Sequence, residues 1–143
     1  MKYKKLCSDA KTPTYGSADA AGADLYICCA EETVIAPGET VVLPTGIAVA
    51  IPKGYVGLIF ARSSLGTKRG LAPANKVGVI DADYRGEIKI SLHNHSREPQ
   101  VLQPYERAAQ MVIVPFVQEV YEEADLLDET VRGDGGFGST GRT

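Results

Sequence analysis

The sequence predicts an all-β chain, a sandwich or barrel of short strands. Turn signals recur every 8–15 residues, among them Pro37-Gly38, Pro52-Lys53-Gly54, Gly70, Gly78, Arg85-Gly86 and Pro104. Between them lie β-branched runs whose apolar residues alternate with a period of two, the period of a strand with one face in a core. Only one stretch carries a convincing helix start. The 143 residues suit one domain, and a chain of that size buries roughly 68–70% of its unfolded surface, enough for one core.

The elements follow in order. In GIAVAI, Ile47, Val49 and Ile51 alternate with Ala48 and Ala50. YVGLIF follows a Pro-Lys-Gly turn and reads as a buried strand. SSLGTKRG is the one candidate helix, with Ser63 or Ser64 as its N-cap and two glycines that limit it to one or two turns. In EIKISLHN, Ile88, Ile90 and Leu92 face one way and Lys89, Ser91 and His93 the other. MVIVPFV is a further strand, and EEADLLDE is expected to add a turn of helix. At Arg132 β-branched residues stop and glycine takes over, so we expect residues 1–131 to form the domain and 132–143 a flexible arm.

Net charge is −3, from 15 basic and 18 acidic residues. That balance argues against a general nucleic-acid coat but leaves room for a local basic pocket that takes a small polyanion. The basic start, MKYKKLCSDAK, lacks the apolar stretch of a secretory signal, and no run is long enough to span a membrane. Three cysteines make an odd count; Cys28 and Cys29 are expected on opposite faces of a strand, and all three are expected to be reduced thiols in a cytosolic protein. His93 and His95 fall on one strand face, where a solvated or interface role outweighs metal ligation, since no carboxylate or thiol lies at a matching offset.

Several segments carry chemistry. In GVIDADYRGE, Asp81 and Asp83 fall on the same side of an extended segment, where a carboxylate suits a general base, a metal ligand or merely a solvated hairpin tip. Arg62-Ser63-Ser64 offers amides, hydroxyls and a guanidinium to an anion, or is an ordinary helix start. AGADLY reads as a small-residue turn carrying one acid, Asp24. The terminal RGDGGFGSTGRT satisfies G-x-G-x-x-G, yet no helix is expected after it to complete a phosphate site within its own chain.

Taken together, AGADLY (21–26), ARSSLG (61–66), GVIDADYRGE (78–87), RAAQ (107–110) and RGDGGFGSTG (132–141) stand in the order of the five motifs of the trimeric dUTP pyrophosphatase (dUTPase) family, which the chain resembles from residue 21 to residue 141. It departs from the usual pattern at Ala23, Ala61, Ser64 and Ala108, and Ser64 would be strained if its position needed a positive φ. The resemblance implies a jelly-roll-like (β-clip) barrel with one short helix, assembled as a homotrimer with shared active sites. It implies hydrolysis of dUTP to dUMP and pyrophosphate with Mg²⁺, which limits uracil in DNA and supplies dUMP for thymidylate synthesis. A cytoplasmic location is expected, or a nuclear or organellar one in a eukaryotic or viral setting.

The resemblance also assigns roles. Asp81 matches the carboxylate that activates the water attacking the α-phosphorus. Asp24 matches an acid near the water shell of Mg²⁺, which is held mainly through the substrate phosphates. Arg62, Ser63 and Ser64 match a phosphate site, and Gln110 an amide that contacts phosphate and the catalytic water. The hairpin APANKVGVID, with Asn75 and the main chain at Gly78 and Ile80, matches the uracil reader, and Tyr84 packs on the deoxyribose. Arg132, Gly138, Ser139 and Thr140 of the arm match phosphate contacts, Phe137 stacks on the base, and Arg107 orders a neighbouring subunit's arm. The related dCTP deaminase branch would lack such an arm, and a nucleotide-switched regulator without turnover would not need the Asp81, Tyr84 and Arg132 that are present.

Overall fold

The computed structural model describes residues 1–136. The strands are, in chain order, β1 (Lys2–Lys5), β2 (Thr14–Tyr15), β3 (Gly22–Tyr26), β4 (Thr33–Ile35), β5 (Thr40–Pro44), β6 (Ile47–Ala50) and β7 (Tyr55–Phe60). The helix α1 (Ser63–Arg69) follows, then β8 (Leu71–Pro73), β9 (Gly78–Ile80), β10 (Lys89–Asn94), β11 (Gln100–Leu102) and β12 (Arg107–Pro115). The largest sheet has five strands in the order β2-β3-β12-β7-β9, and a three-stranded sheet runs β5-β10-β8. Two further pairs, β1-β6 and β11-β4, complete an all-β, jelly-roll-like fold in which every ladder is antiparallel.

The period-two pattern places the core where expected. Ile47, Val49 and Ile51, then Ile88, Ile90 and Leu92, are all buried in one cluster with Leu25, Ile27, Ile59, Leu71 and Met111. Gly57 lets β7 pass closely over this cluster: a Cβ there would lie 2.8 Å from the Ile51 side chain and 3.1 Å from the Met111 sulfur. Gly54, at φ +83, closes the turn before β7, where Tyr55 N–H donates to the Pro52 carbonyl. The last strand ends at Pro115, and residues 116–131 follow without regular structure, their side chains exposed. No helix among the described residues is long and apolar enough to cross a membrane.

Four expectations are corrected. AGADLY is not a turn: residues 22–26 form β3, held between β2 and β12, and Ala23, Asp24 and Leu25 are buried there. EEADLLDE forms no helical turn; its side chains are exposed, so no packing offsets the cost of nucleating helix. Cys28 and Cys29 follow β3, which ends at Tyr26, rather than standing on two faces of a strand. Segment 72–81 is not a paired hairpin, because β8 pairs with β10 while β9 pairs with β7. Lys76, at φ 67, turns the chain so that it crosses from one sheet to the other.

Candidate active site

Two groups of residues emerge. The first is built around Asp24 on β3, a buried acid whose side chain is only 12% exposed. Its Oδ1 accepts Arg62 Nε at 2.8 Å and its Oδ2 accepts Arg107 at 3.0 Å. The three residues come from different elements, so one buried acid ties β3, the start of α1 and β12 together. The remaining guanidinium nitrogens of Arg62 and Arg107 have no protein hydrogen-bond partner among the described residues. Two cations fixed in place with N–H groups to spare present donors of the kind that suit an anion such as phosphate.

Gln110 joins this group through an irregularity in β12. Residues three apart on a regular strand face opposite sides. The ladder of β12 with β3 slips between Arg107 and Ala109, a bulge at Ala108 that resets the alternation. Ala109 and Met111 therefore point into the core, while Arg107 reaches Asp24 and Gln110 pairs with Asp24 in the ladder. Gln110 Nε2 donates to the Ala61 carbonyl at 3.0 Å, beside Arg62. Gly22 leaves room for this amide, since a Cβ there would come within 2.5 Å of Gln110 Oε1. Sequence reasoning missed Gly22; its signal was the small-residue pair Ala21-Gly22 ahead of the acid.

The helix start also differs from expectation. Arg62, not Ser63 or Ser64, is the N-cap, with extended backbone and no side-chain cap. Its side chain is held by Asp24 instead, and Ser63 and Ser64 occupy the first turn with exposed hydroxyls. Ser64 is not among the residues at positive φ, so the strain considered for it does not arise. Gly70, at φ 65, ends the helix in the left-handed region, as a C-terminal glycine should.

The second group surrounds Asp81, just past β9. Rather than extending, residues 81–84 form a turn in which Tyr84 N–H donates to the Asp81 carbonyl at 3.1 Å. The Asp81 carboxylate is exposed and has no hydrogen bond or ion pair among the described residues. Together with Val79, Ile80, Tyr84, Glu87 and Lys89 it lines a cavity of about 230 Å³. The Tyr84 hydroxyl donates to the Glu87 carbonyl at 2.9 Å, which holds the ring against Gly86, where an added Cβ would meet it. Asn75 lies close by: a Cβ on Gly78 would sit 3.7 Å from its side-chain nitrogen. Arg85 donates to the carbonyls of Ala82 and Tyr84, so it braces the turn rather than pairing with Asp81 or Asp83.

No hydrogen bond or ion pair among the described residues joins the Asp24 group to the Asp81 group. Arg132 is exposed and donates to the Gly135 carbonyl at 2.8 Å, at the start of two successive turns, and touches neither group. Phe137, Gly138, Ser139 and Thr140 lie outside the described residues. Away from both groups, the His93 and His95 rings stand 4.3 Å apart edge to face, and His93 Nδ1 shares a hydrogen bond with Thr40. Burial, then the Lys76 ammonium and His93, hold His95 below the usual imidazole range.

Residues 8–141 match the family described as dUTPase. A deoxyuridine 5'-triphosphate nucleotidohydrolase of Desulfitobacterium hafniense is 53% identical over 143 residues, covering 99% of this chain and 94% of that protein. One of Syntrophotalea carbinolica is 49% identical over 141 residues, covering 99% and 96%. Among solved structures, a mutant dUTPase of Staphylococcus bacteriophage 80alpha with dUpNHpp superposes with a TM-score of 0.87 at 30% identity, covering 99% of this chain and 98% of that one.

Proposed function

The chain belongs to the dUTPase family and is a dUTP diphosphatase, and on that premise we propose that it cleaves dUTP between the α- and β-phosphates, with Asp81 as the base. The observation that carries this reading is the division of labour between the two groups. Asp24 fixes two guanidinium groups with free N–H donors, which suits a triphosphate. Asp81 stands exposed and unpaired beside Tyr84, which suits a carboxylate that must take a proton from water.

Asp81 accepts a proton from the water that attacks the α-phosphorus in line, and pyrophosphate departs on the far side. Arg62, Ser63 and Ser64 bind the departing phosphates. Gln110, its amide oriented by the Ala61 carbonyl, contacts phosphate and the attacking water. Tyr84 packs on the deoxyribose, where a tight fit leaves no room for a 2′-hydroxyl. Asn75 and the main chain of Gly78 and Ile80 read uracil, and mismatched buried polar groups reject cytosine.

The donors fit Mg²⁺ that arrives on the triphosphate. Each oxygen of Asp24 accepts one guanidinium bond and keeps a lone pair for a water, so it can reach the ion's water shell without ligating it. When bound, the ion offsets phosphate charge and orients the chain of phosphates.

Because the Asp24 and Asp81 groups are not joined within one chain, the reading extends to a homotrimer in which one subunit supplies the phosphate receptor and another the base. A third subunit's arm, residues 132–143, with Arg132 and Phe137, covers the nucleotide, and Arg107 helps to order that arm. The product dUMP serves thymidylate synthesis, and removal of dUTP keeps uracil out of DNA, in the cytoplasm.

Product analysis tests the reading. Incubation with Mg²⁺ and dUTP, dCTP, dTTP or UTP should give dUMP and pyrophosphate from dUTP and little from the others. Release of dUDP and orthophosphate would place the attack on another phosphorus, and ammonia from dCTP would mark a deaminase.

A further inference from the structure

The three cysteines are free and lie outside both groups of the candidate site. Two of them meet. Cys7, just after β1, and Cys28, just after β3, bring their sulfurs to 2.7 Å in a thiol–thiol hydrogen bond. Both are tethered to the same turn: Leu6 N–H donates to the Gly46 carbonyl at 2.8 Å, and Cys28 N–H to the Pro44 carbonyl at 2.7 Å. Gly46 is the floor beneath them. A Cβ there would lie 2.7 Å from the Cys7 sulfur and 3.2 Å from that of Cys28, and its φ of +66 favours glycine in any case. The meeting of sulfurs is therefore built by the backbone on both sides, not by two loose side chains.

We propose that Cys7 and Cys28 are a reversible disulfide site, closed by a low-molecular-weight disulfide such as oxidised glutathione. Cys7 is exposed, whereas its hydrogen bond to Cys7 and then burial push the Cys28 thiol up to about 11. Cys7 is thus the first nucleophile. Its thiolate attacks one sulfur of the small disulfide, forms a mixed disulfide and expels one thiolate. Cys28 then loses its proton to solvent and attacks the Cys7 sulfur, forming the Cys7–Cys28 bond and expelling the second thiolate. Two protein thiols are oxidised, one small disulfide is reduced to two thiols, and the two protons end on them.

The bond would close a loop between residues 21 apart in sequence and staple the segment after β1 to the segment after β3, over the turn before β6. Gly46 in that turn is itself held by Glu87, just ahead of β10, whose Oε1 accepts the Gly46 N–H at 2.8 Å. Cys29, also partly buried, has no sulfur partner among the described residues and is left out of the pair.

The full-length protein is incubated with excess glutathione disulfide, its free thiols are blocked, and tryptic peptides are mapped without reduction. Two of three thiols should be lost, with residues 6–11 linked to residues 12–53, and fragmentation should place the bond on Cys28. Cys29→Ser should keep the link and Cys28→Ser should lose it. The oxidised protein should melt about 5–10 °C higher, and reductant should reverse this. Peptides carrying only glutathione, a bond placed on Cys29, or a link between two copies on a non-reducing gel would each overturn the assignment. Fragmentation of the wild-type peptides decides the matter even where a serine variant fails to fold.

Discussion

Arg62 and Asp24 meet at 2.8 Å, Nε to Oδ1, while Arg107 holds the other oxygen of the same carboxylate. Asp24→Asn keeps the shape but leaves two cations without their anion. We expect a loss of about 1–3 kcal/mol in stability, since the acid is buried but both arginines are partly solvated. The value of kcat/KM should fall by at least ~10-fold as the guanidinium groups lose their aim. Urea unfolding and steady-state kinetics check both; unchanged kinetics would remove Asp24 from the phosphate site.

Asp81→Asn should behave differently. The carboxylate is exposed and unpaired, so unfolding should be unaltered within ~0.5 kcal/mol. Turnover should fall by roughly 10²–10⁴-fold with binding of a non-hydrolysable dUTP analogue retained. Near-normal turnover would move the role to another carboxylate, Asp83 first.

Gly22→Ala separates positioning from folding. The added methyl would meet Gln110 Oε1 at 2.5 Å, the far end of a flexible side chain. The amide should swing away at little cost to stability, and kcat should drop more than the melting temperature shifts. A variant with normal kcat would show that the Gln110 orientation seen here is not the working one.

Truncation at residue 131 tests the arm. Residues 131–134 are exposed, so the melting temperature should scarcely change, whereas kcat/KM should fall sharply if the arm closes the site. The chain has no tryptophan, so Phe137→Trp adds a single reporter whose emission should respond to a dUTP analogue with Mg²⁺ and much less to dUMP. Full activity after truncation would sink the closure.

Cys28 gives a pH signature. Its folded thiol is raised from 9.0 to about 11 by the hydrogen bond to Cys7 and by burial. The folded chain therefore holds a proton that the unfolded chain has released, so this contribution is complete below pH 9 and lost as pH rises towards 11. Reduced wild-type protein should lose stability over that window more steeply than Cys28→Ser, by thermal unfolding.

The strands of the core were legible because Ile47, Val49 and Ile51, or Ile88, Ile90 and Leu92, carry the period of a pleated strand in their own letters. β1, written KYKK, carries no such pattern, and its side chains are exposed; it exists through its ladder with β6. β3 has the local signal of a turn because alanine and glycine look like loop residues, although Gly22 is small because Gln110 crosses above it. The chemical residues were found as motifs, yet their partners were not. Nothing local tells Asp24 that its arginines lie 38 and 83 residues away. The helix cap departs from its local signal for the same reason: serine is the better local candidate, but a distant acid fixes Arg62.

The slipped ladder at Ala108 has a consequence for how the fourth motif is spelled. A strand reads like a two-letter frame, inside and outside by turns, and one extra residue shifts that frame. Arg107 and Gln110 share a side only because the shift falls between them. The spacing of three in RAAQ is thus a written trace of backbone geometry. Were Ala108 kept and the ladder made regular, the message would be garbled: either Arg107 would be sent inward among Ala109 and Met111, or every residue from Gln110 to Pro115 would change sides. The slip, taken up by one alanine without a functional group, holds the site in phase.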